Sequence, residues 1–142
     1  MLTGNTLRVI VVFVFAVQLI SCGSVEERQY ENYSDEDVVA SLKDGWLPPN
    51  ISEGAISIRE KHDLESGHVF GMYTYSETPF RPGLKNQPST KAEFMTHLKK
   101  VGRPSKPNWF TESDGEIEYE YSKFGDFFFA HISKKKLVLF VR

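Results

Sequence analysis

The sequence holds a single cysteine, Cys22, among 142 residues. An intramolecular disulfide and any CxxC zinc or redox site are thereby excluded, since each needs a second sulfur. An excess of positive charge is lacking too, because 17 Lys and Arg stand against 19 Asp and Glu for a formal charge of −2. A domain that binds nucleic acid is normally strongly basic, so no nucleic-acid partner is expected. The motifs of common catalysis are missing: there is no Gly-x-Ser-x-Gly elbow, no Gly-x-Gly-x-x-Gly, no Gly-Lys-Ser/Thr and no His-Glu-x-x-His. No enzyme and no cofactor are expected. Internal repeats and low-complexity tracts are also absent. What is present is 40% hydrophobic, 13% aromatic and 25% charged, the composition of one globular domain at the common size of about 100–150 residues.

The one long hydrophobic run lies at the N-terminus. Arg8 is the only charge in residues 1–21, Val9 to Ile20 is apolar except for Gln18, and small Ser21 precedes Cys22. This is the n-region, h-region and cleavage site of a targeting peptide. As a helix the run spans about 18 Å, short of the ~30 Å hydrocarbon core, so it is a poor permanent membrane span. Leu19-Ile20-Ser21-Cys22 resembles the lipobox of bacterial lipoproteins, in register with the h-region and with the chain's only cysteine at the motif position. The resemblance implies that the Cys22 thiol is diacylated, that the peptide is cut before it, and that the new amine is usually acylated. The alternative, an ordinary secretory signal, leaves a reactive thiol exposed in an exported protein, which is normally avoided. Two or three acyl chains hold firmly where one holds marginally, each buried methylene contributing roughly 0.8 kcal/mol. The membrane is then the expected partner through the lipid anchor. Gly23 is not the aspartate associated with inner-membrane retention, so for a Gram-negative source the resemblance implies an outer-membrane protein facing the periplasm.

Removing residues 1–21 leaves 16 basic against 19 acidic residues, a balance of −3. Residues 22–33, with Gly23 to Tyr33 lacking apolar periodicity, read as the lipidated cysteine and a flexible tether spanning about 18 Å. The remaining 34–142 read as a single α+β domain. Ser34 with Asp35, Glu36 and Asp37 suits the start of a helix over 35–44 that turns Val38, Val39 and Leu42 inward and closes at Gly45. Gly45 to Asn50 is irregular because of Pro48 and Pro49, and Ser52 caps a short helical turn through Ala55. Residues 56–64 and 68–76 predict two strands around a Glu65-Ser66-Gly67 turn, and 77–88 a long loop. Ser89 opens a helix over 90–101 with Phe94, Met95, Leu98 and Val101 on one side. Glu116 to Tyr121 alternates as a strand with its glutamates in water, and 127–132 and 136–141 are continuous apolar runs that suggest central strands. The expectation is an antiparallel sheet of about five strands with two or three helices packed on one face.

The phrase Gly45-Trp46-Leu47-Pro48-Pro49-Asn50-Ile51, with Ala55, Ile58, Glu60 and His62-Asp63 ahead of an aromatic strand, resembles the head domain of the YbbD-type family of small bacterial lipoproteins. The resemblance covers residues 35–76. It implies the fold and the lipoprotein label, and no activity.

Among candidate chemical groups, His62, Asp63 and His68 could approach one another across a hairpin as zinc ligands, but polar residues at a strand end and turn are the commoner case. No metal site is expected. His97 reads as a helix-surface residue and His131 as a hydrogen-bonded core or edge histidine. Glu116, Glu118 and Glu120, spaced by two, fall on one solvated strand face about 7 Å apart. The feature above background is charge segregation: Arg81 to Lys106 holds seven basic residues against Glu93 alone, while Glu112 to Glu120 and Glu26 to Asp37 are acidic. Arg81, Lys85, Lys99, Lys100 and Arg103 are therefore the candidate residues for meeting an anionic partner, either headgroups or an envelope protein. Internal pairing or simple solvation is the competing reading. The expected function is a lipid-anchored cell-envelope binding or structural module; the alternative is an immunity-type periplasmic lipoprotein that neutralises a toxic effector.

Overall fold

The computed structural model describes residues 23–111 and 118–142. The segment 1–21 expected to be a signal peptide, Cys22, and Glu116 and Ile117 of the alternating segment lie outside the described residues. The element order is β1 (Val25–Asn32), α1 (Glu36–Lys43), β2 (Ala55–Asp63), β3 (Val69–Tyr75), β4 (Gln87–Pro88), α2 (Lys91–Lys100), β5 (Glu120–Phe124), β6 (Phe127–Ile132) and β7 (Leu137–Val141). All strand pairs are antiparallel, and they form one 7-stranded sheet in the order β1-β2-β3-β7-β6-β5-β4.

The expected α+β domain of about five strands with helices on one face is therefore corrected to a mostly β domain with, among the described residues, two short α-helices. They lie on opposite faces. Val38 of α1 joins Tyr30, Ile58, Tyr73, Phe127, Phe129, Val138 and Phe140 in one apolar cluster, whereas Phe94 of α2 joins Phe70, Phe110, Ala130, Leu139 and Val141 in another. The reason is in β6 and β7: Phe127-Phe128-Phe129-Ala130 and Leu137-Val138-Leu139-Phe140-Val141 are apolar at every position. Because alternate residues point to opposite faces, such strands need cover on both.

Two strands escape a sequence reading. The stretch taken as a tether is strand β1, whose eight residues pair with β2 from Val25 opposite Asp63 to Asn32 opposite Ile56. Its charges obscure it because only Tyr30 is buried, as an edge strand allows. The loop over 77–88 ends in β4, two residues paired with β5. The other elements fall within a few residues of expectation except β5, which runs Glu120–Phe124 and so shares only Glu120 and Tyr121 with the strand expected over 116–121. Asp35 rather than Ser34 caps α1, accepting from the Asp37 amide, and Thr90 rather than Ser89 caps α2 in a reciprocal box with Glu93. Val39 is 67% exposed rather than turned inward; Val38 and Ser41 are the buried residues of α1. The stretch 52–55 is a turn in which the Gly54 amide donates to the Ser52 hydroxyl, and Ala55 already begins β2.

Candidate binding cleft

Register places five strand ends together. Phe70 and Phe128 both pair with Val141, so the start of β3, the end of β7 and the start of β6 share one end of the sheet. Phe124 pairs with Phe127 and Gln87 with Lys123, which adds the end of β5 and the start of β4. A cleft of about 860 Å³ opens there, bounded by the β2–β3 turn, the β5–β6 turn and the flank of α2. Among the described residues, Lys85, Lys123, Arg142, His68 and His97 line it against one side-chain carboxylate, Asp126.

Each wall is held by local chemistry. Asp63, at the end of β2, accepts the Ser66 amide at 3.2 Å and the Glu65 amide at 3.5 Å. Its carboxyl is lowered to about 2, first by a hydrogen bond from the Ser24 side chain and then by those of the turn. Gly67 takes φ 71, a left-handed conformation that glycine adopts without steric cost. The turned carbonyl of Gly67 accepts both Nε and a terminal nitrogen of Arg142 at 3.0 and 2.7 Å, and the other terminal nitrogen donates to Gly45 O at 2.5 Å. The guanidinium also lies over the rings of Trp46 and Phe127 at 5.3 and 5.4 Å. Arg142 is thus a fixed cation whose planar fork is already engaged by neutral carbonyls.

The histidines differ. His68 Nδ1 lies 3.1 Å from the Arg103 carbonyl, to which it donates, and the Ser66 hydroxyl donates to the same carbonyl at 3.1 Å. This leaves His68 Nε2 as the second ring nitrogen. Since His68 Nδ1 and Ser66 share one acceptor, neither activates the other, and the pair orders the turn rather than forming a nucleophile and base. His97 stacks on Phe128 at 4.5 Å and 23°, and its Nε2 is buried without a hydrogen-bond partner. Burial lowers its pKa, the charges of His68 and Lys100 push the same way, and Asp126 opposes them. The expectation of a plain helix-surface residue is corrected: His97 is half-buried and faces the cleft.

The candidate basic residues are dispersed. Lys85 lines the cleft. Arg103 reaches its rim through the main-chain carbonyl, while its exposed side chain lies 4.0 Å from Glu65. Lys100 lines a shallower groove beside His97 and Phe128, and Lys99 is exposed at the end of α2. Arg81 sits elsewhere, donating to the Tyr33 hydroxyl, stacked over that ring at 5.7 Å and bonded through its amide to Asn50 O. Lys123, Arg142, Asp126 and His97 escaped the sequence reading because three strand ends and a helix flank had to be brought together before they became neighbours.

A second polar group lies under α1. Glu60 and His62 are both fully buried, with Glu60 Oε2 2.6 Å from His62 Nδ1. The Tyr30 hydroxyl lies 2.5 Å from Ser41 Oγ and donates to Glu60 Oε1 at 3.2 Å. Trp46 stacks on His62 at 3.9 Å and 9°. Desolvation raises the Glu60 pKa, opposed chiefly by the hydrogen bond to His62. His62 and His68 are therefore engaged separately, and among the described residues no group of three or more His, Cys, Asp or Glu is placed to hold a metal ion. His131 fits the expected hydrogen-bonded core residue: its Nε2 lies 2.5 Å from the Tyr75 hydroxyl and its Nδ1 3.3 Å from Glu120. Glu118 and Glu120 are exposed, although Glu120 also accepts from Ser133.

Comparison with known families gives a match of residues 24–74 to the YbbD head domain, about a third of the chain. It runs from just before β1 through almost all of β3, and so includes the strand that had read as a tether. No curated protein and no solved structure matches the chain. The matched region supplies the β2–β3 wall of the cleft, with Ser66, Gly67 and His68, whereas Lys85, His97, Lys123, Asp126 and Arg142 lie beyond it.

Proposed function

We propose that this chain is a lipid-anchored head domain of the bacterial cell envelope that binds a partner rather than catalysing a reaction, with the basic cleft as its binding surface. The observation that carries the reading is the convergence, among the described residues, of the side chains of three permanent cations and two imidazoles, against one side-chain carboxylate, on a single cleft of about 860 Å³. The lipobox-like Leu19-Ile20-Ser21-Cys22 and the match to the YbbD head domain support the envelope placement. The reading of the cleft as a binding surface is supported by Ser66, the serine among its described lining residues, which donates its proton to a main-chain carbonyl rather than to His68.

Two measurements test the two halves. Metabolic labelling with a fatty-acid analogue should mark the wild-type chain and not Cys22→Ser, which should move to the soluble fraction; an unlabelled wild type with residues 1–21 still attached overturns the anchor. Crosslinking in intact envelopes should yield an adduct lost in Lys85→Glu/Lys123→Glu and kept in Lys134→Ala/Lys135→Ala. An adduct equally strong in both variants overturns the cleft as the binding surface.

A further inference from the structure

We infer that the cleft is a site for a phosphate group, held by Lys85, Lys123, His68 and His97, with Arg142 as a fixed background charge. The inference rests on reading the cleft as the binding surface. It adds the chemical class of the ligand.

The choice of phosphate follows from which donors remain. A planar carboxylate is matched best by the parallel N–H pair of a guanidinium. Arg142 already has three of its five N–H groups, on Nε and both terminal nitrogens, donating to Gly67 and Gly45, so its fork is held chiefly by the protein's own carbonyls. What the cleft presents instead are two ammonium groups and two imidazole rings that donate to an anion once protonated, separate groups carried by the loop after β3, strand β5, the β2–β3 turn and α2. A tetrahedral phosphate directs its oxygens out of any one plane, so it can meet groups arriving from four separate elements, whereas the two oxygens of a carboxylate accept within one plane. The charges agree: among the side chains of the described lining residues, Lys85, Lys123 and Arg142 against Asp126 leave an excess of two positive charges before either histidine is protonated. Lys123 also lies near Glu93, but that carboxylate is held at the α2 cap by the Thr90 amide and the Ser89 hydroxyl.

His97 supplies the second observation. A buried ring nitrogen without a partner is costly unless something completes it. His97 Nε2 is such an atom, on a ring that lines the cleft. The groups that act on it are His68 from the β2–β3 turn, Lys100 from its own helix and Asp126 from the β5–β6 turn, with Phe128 stacked on its face. The first two discourage its protonation. A bound phosphate opposes their effect and favours the protonated ring, so His97 should make binding tighter as pH falls.

The test uses the full mature chain with Cys22→Ser, titrated with inorganic phosphate in constant chloride and followed by the imidazole resonances. His68 and His97 should shift with one dissociation constant while His131, enclosed by Tyr75 and Glu120, stays fixed. Affinity should fall at least 10-fold in Lys85→Ala/Lys123→Ala, stay unchanged in Lys134→Ala/Lys135→Ala, and change between pH 8 and pH 6 by a factor that is several-fold more favourable to pH 6 in the wild type than in His97→Gln. Cosedimentation with phosphatidylglycerol vesicles against phosphatidylcholine vesicles separates the sources: lysine-dependent retention on the former identifies a lipid headgroup, and phosphate binding without retention identifies a soluble phosphate compound. Shifts of His68 and His97 with acetate but not phosphate overturn the ligand class and leave the cleft as the binding surface. Absence of any anion-induced shift, with crosslinking still lost in Lys85→Glu/Lys123→Glu, does the same. If both are negative, the ligand class and the binding surface fall together.

Discussion

Gly71 offers the sharpest test of the packing that holds the sheet together. It pairs with Glu60 on one side and with Phe140 on the other, and the Phe140 ring lies directly across it. A methyl group at Gly71 would fall inside that ring, in contact with Cζ, Cε2 and Cε1 at once. The ring has nowhere to go, because Phe140 is fully buried and flanked by Phe127, Phe129 and Tyr73 at centroid distances of 5.9, 6.5 and 6.3 Å. Alanine gains about 0.5–1 kcal/mol over glycine in a strand from reduced chain entropy, but overpacking a tight core costs about 1–3 kcal/mol. Displacing Phe140 also weakens aromatic contacts worth about 0.5–1.5 kcal/mol each. Gly71→Ala should therefore destabilise by about 3 kcal/mol. At a urea slope near 2 kcal/mol/M that lowers the midpoint by about 1.5 M. Phe140→Leu alone should cost about 1–2 kcal/mol as a large-to-small change. The double variant should be less destabilised than the sum by at least about 1 kcal/mol, because the shorter side chain vacates the space the methyl needs. A Gly71→Ala midpoint within error of wild type, or strict additivity, would refute the reasoning.

Two further predictions rest on other elements. Thr90→Ala removes the hydroxyl that accepts the Glu93 amide at 3.2 Å and should cost about 1 kcal/mol by urea unfolding. Since the same box lowers the Glu93 carboxyl, its contribution is present above the ordinary glutamate pKa and is lost as pH falls through the depressed value, so the Thr90→Ala penalty should be smaller at pH 3 than at pH 7. Glu60 has the opposite sign: burial raises its pKa, so the folded state binds its proton at higher pH than the unfolded chain, and that contribution is lost as pH rises through the raised value. Glu60→Gln keeps an acceptor for Tyr30 and removes the buried charge, so its stability relative to wild type should improve between pH 5 and pH 7; an identical difference at both pH values would contradict the assignment.

Much of the chain announces itself locally. A twelve-residue apolar run, the hydroxyl and carboxylates ahead of each helix, the Glu65-Ser66-Gly67 and Gly125-Asp126 turns and the Phe- and Val-rich strands depend on neighbours a few residues away, so their positions are legible from order alone. Strand β1 is not, because Glu26, Glu27, Arg28 and Glu31 mask a segment that becomes a strand only by pairing with β2. The same holds for the placing of helices on both faces: the apolar runs of β6 and β7 demand two covers, but only packing assigns α1 to one side and α2 to the other. The buried Glu60–His62 pair and the cleft lie furthest from the sequence. His68, Lys85, His97, Lys123 and Arg142 are separated by up to 74 positions, and they become one surface only when antiparallel register brings the ends of β3, β4, β5, β6 and β7 to the same edge.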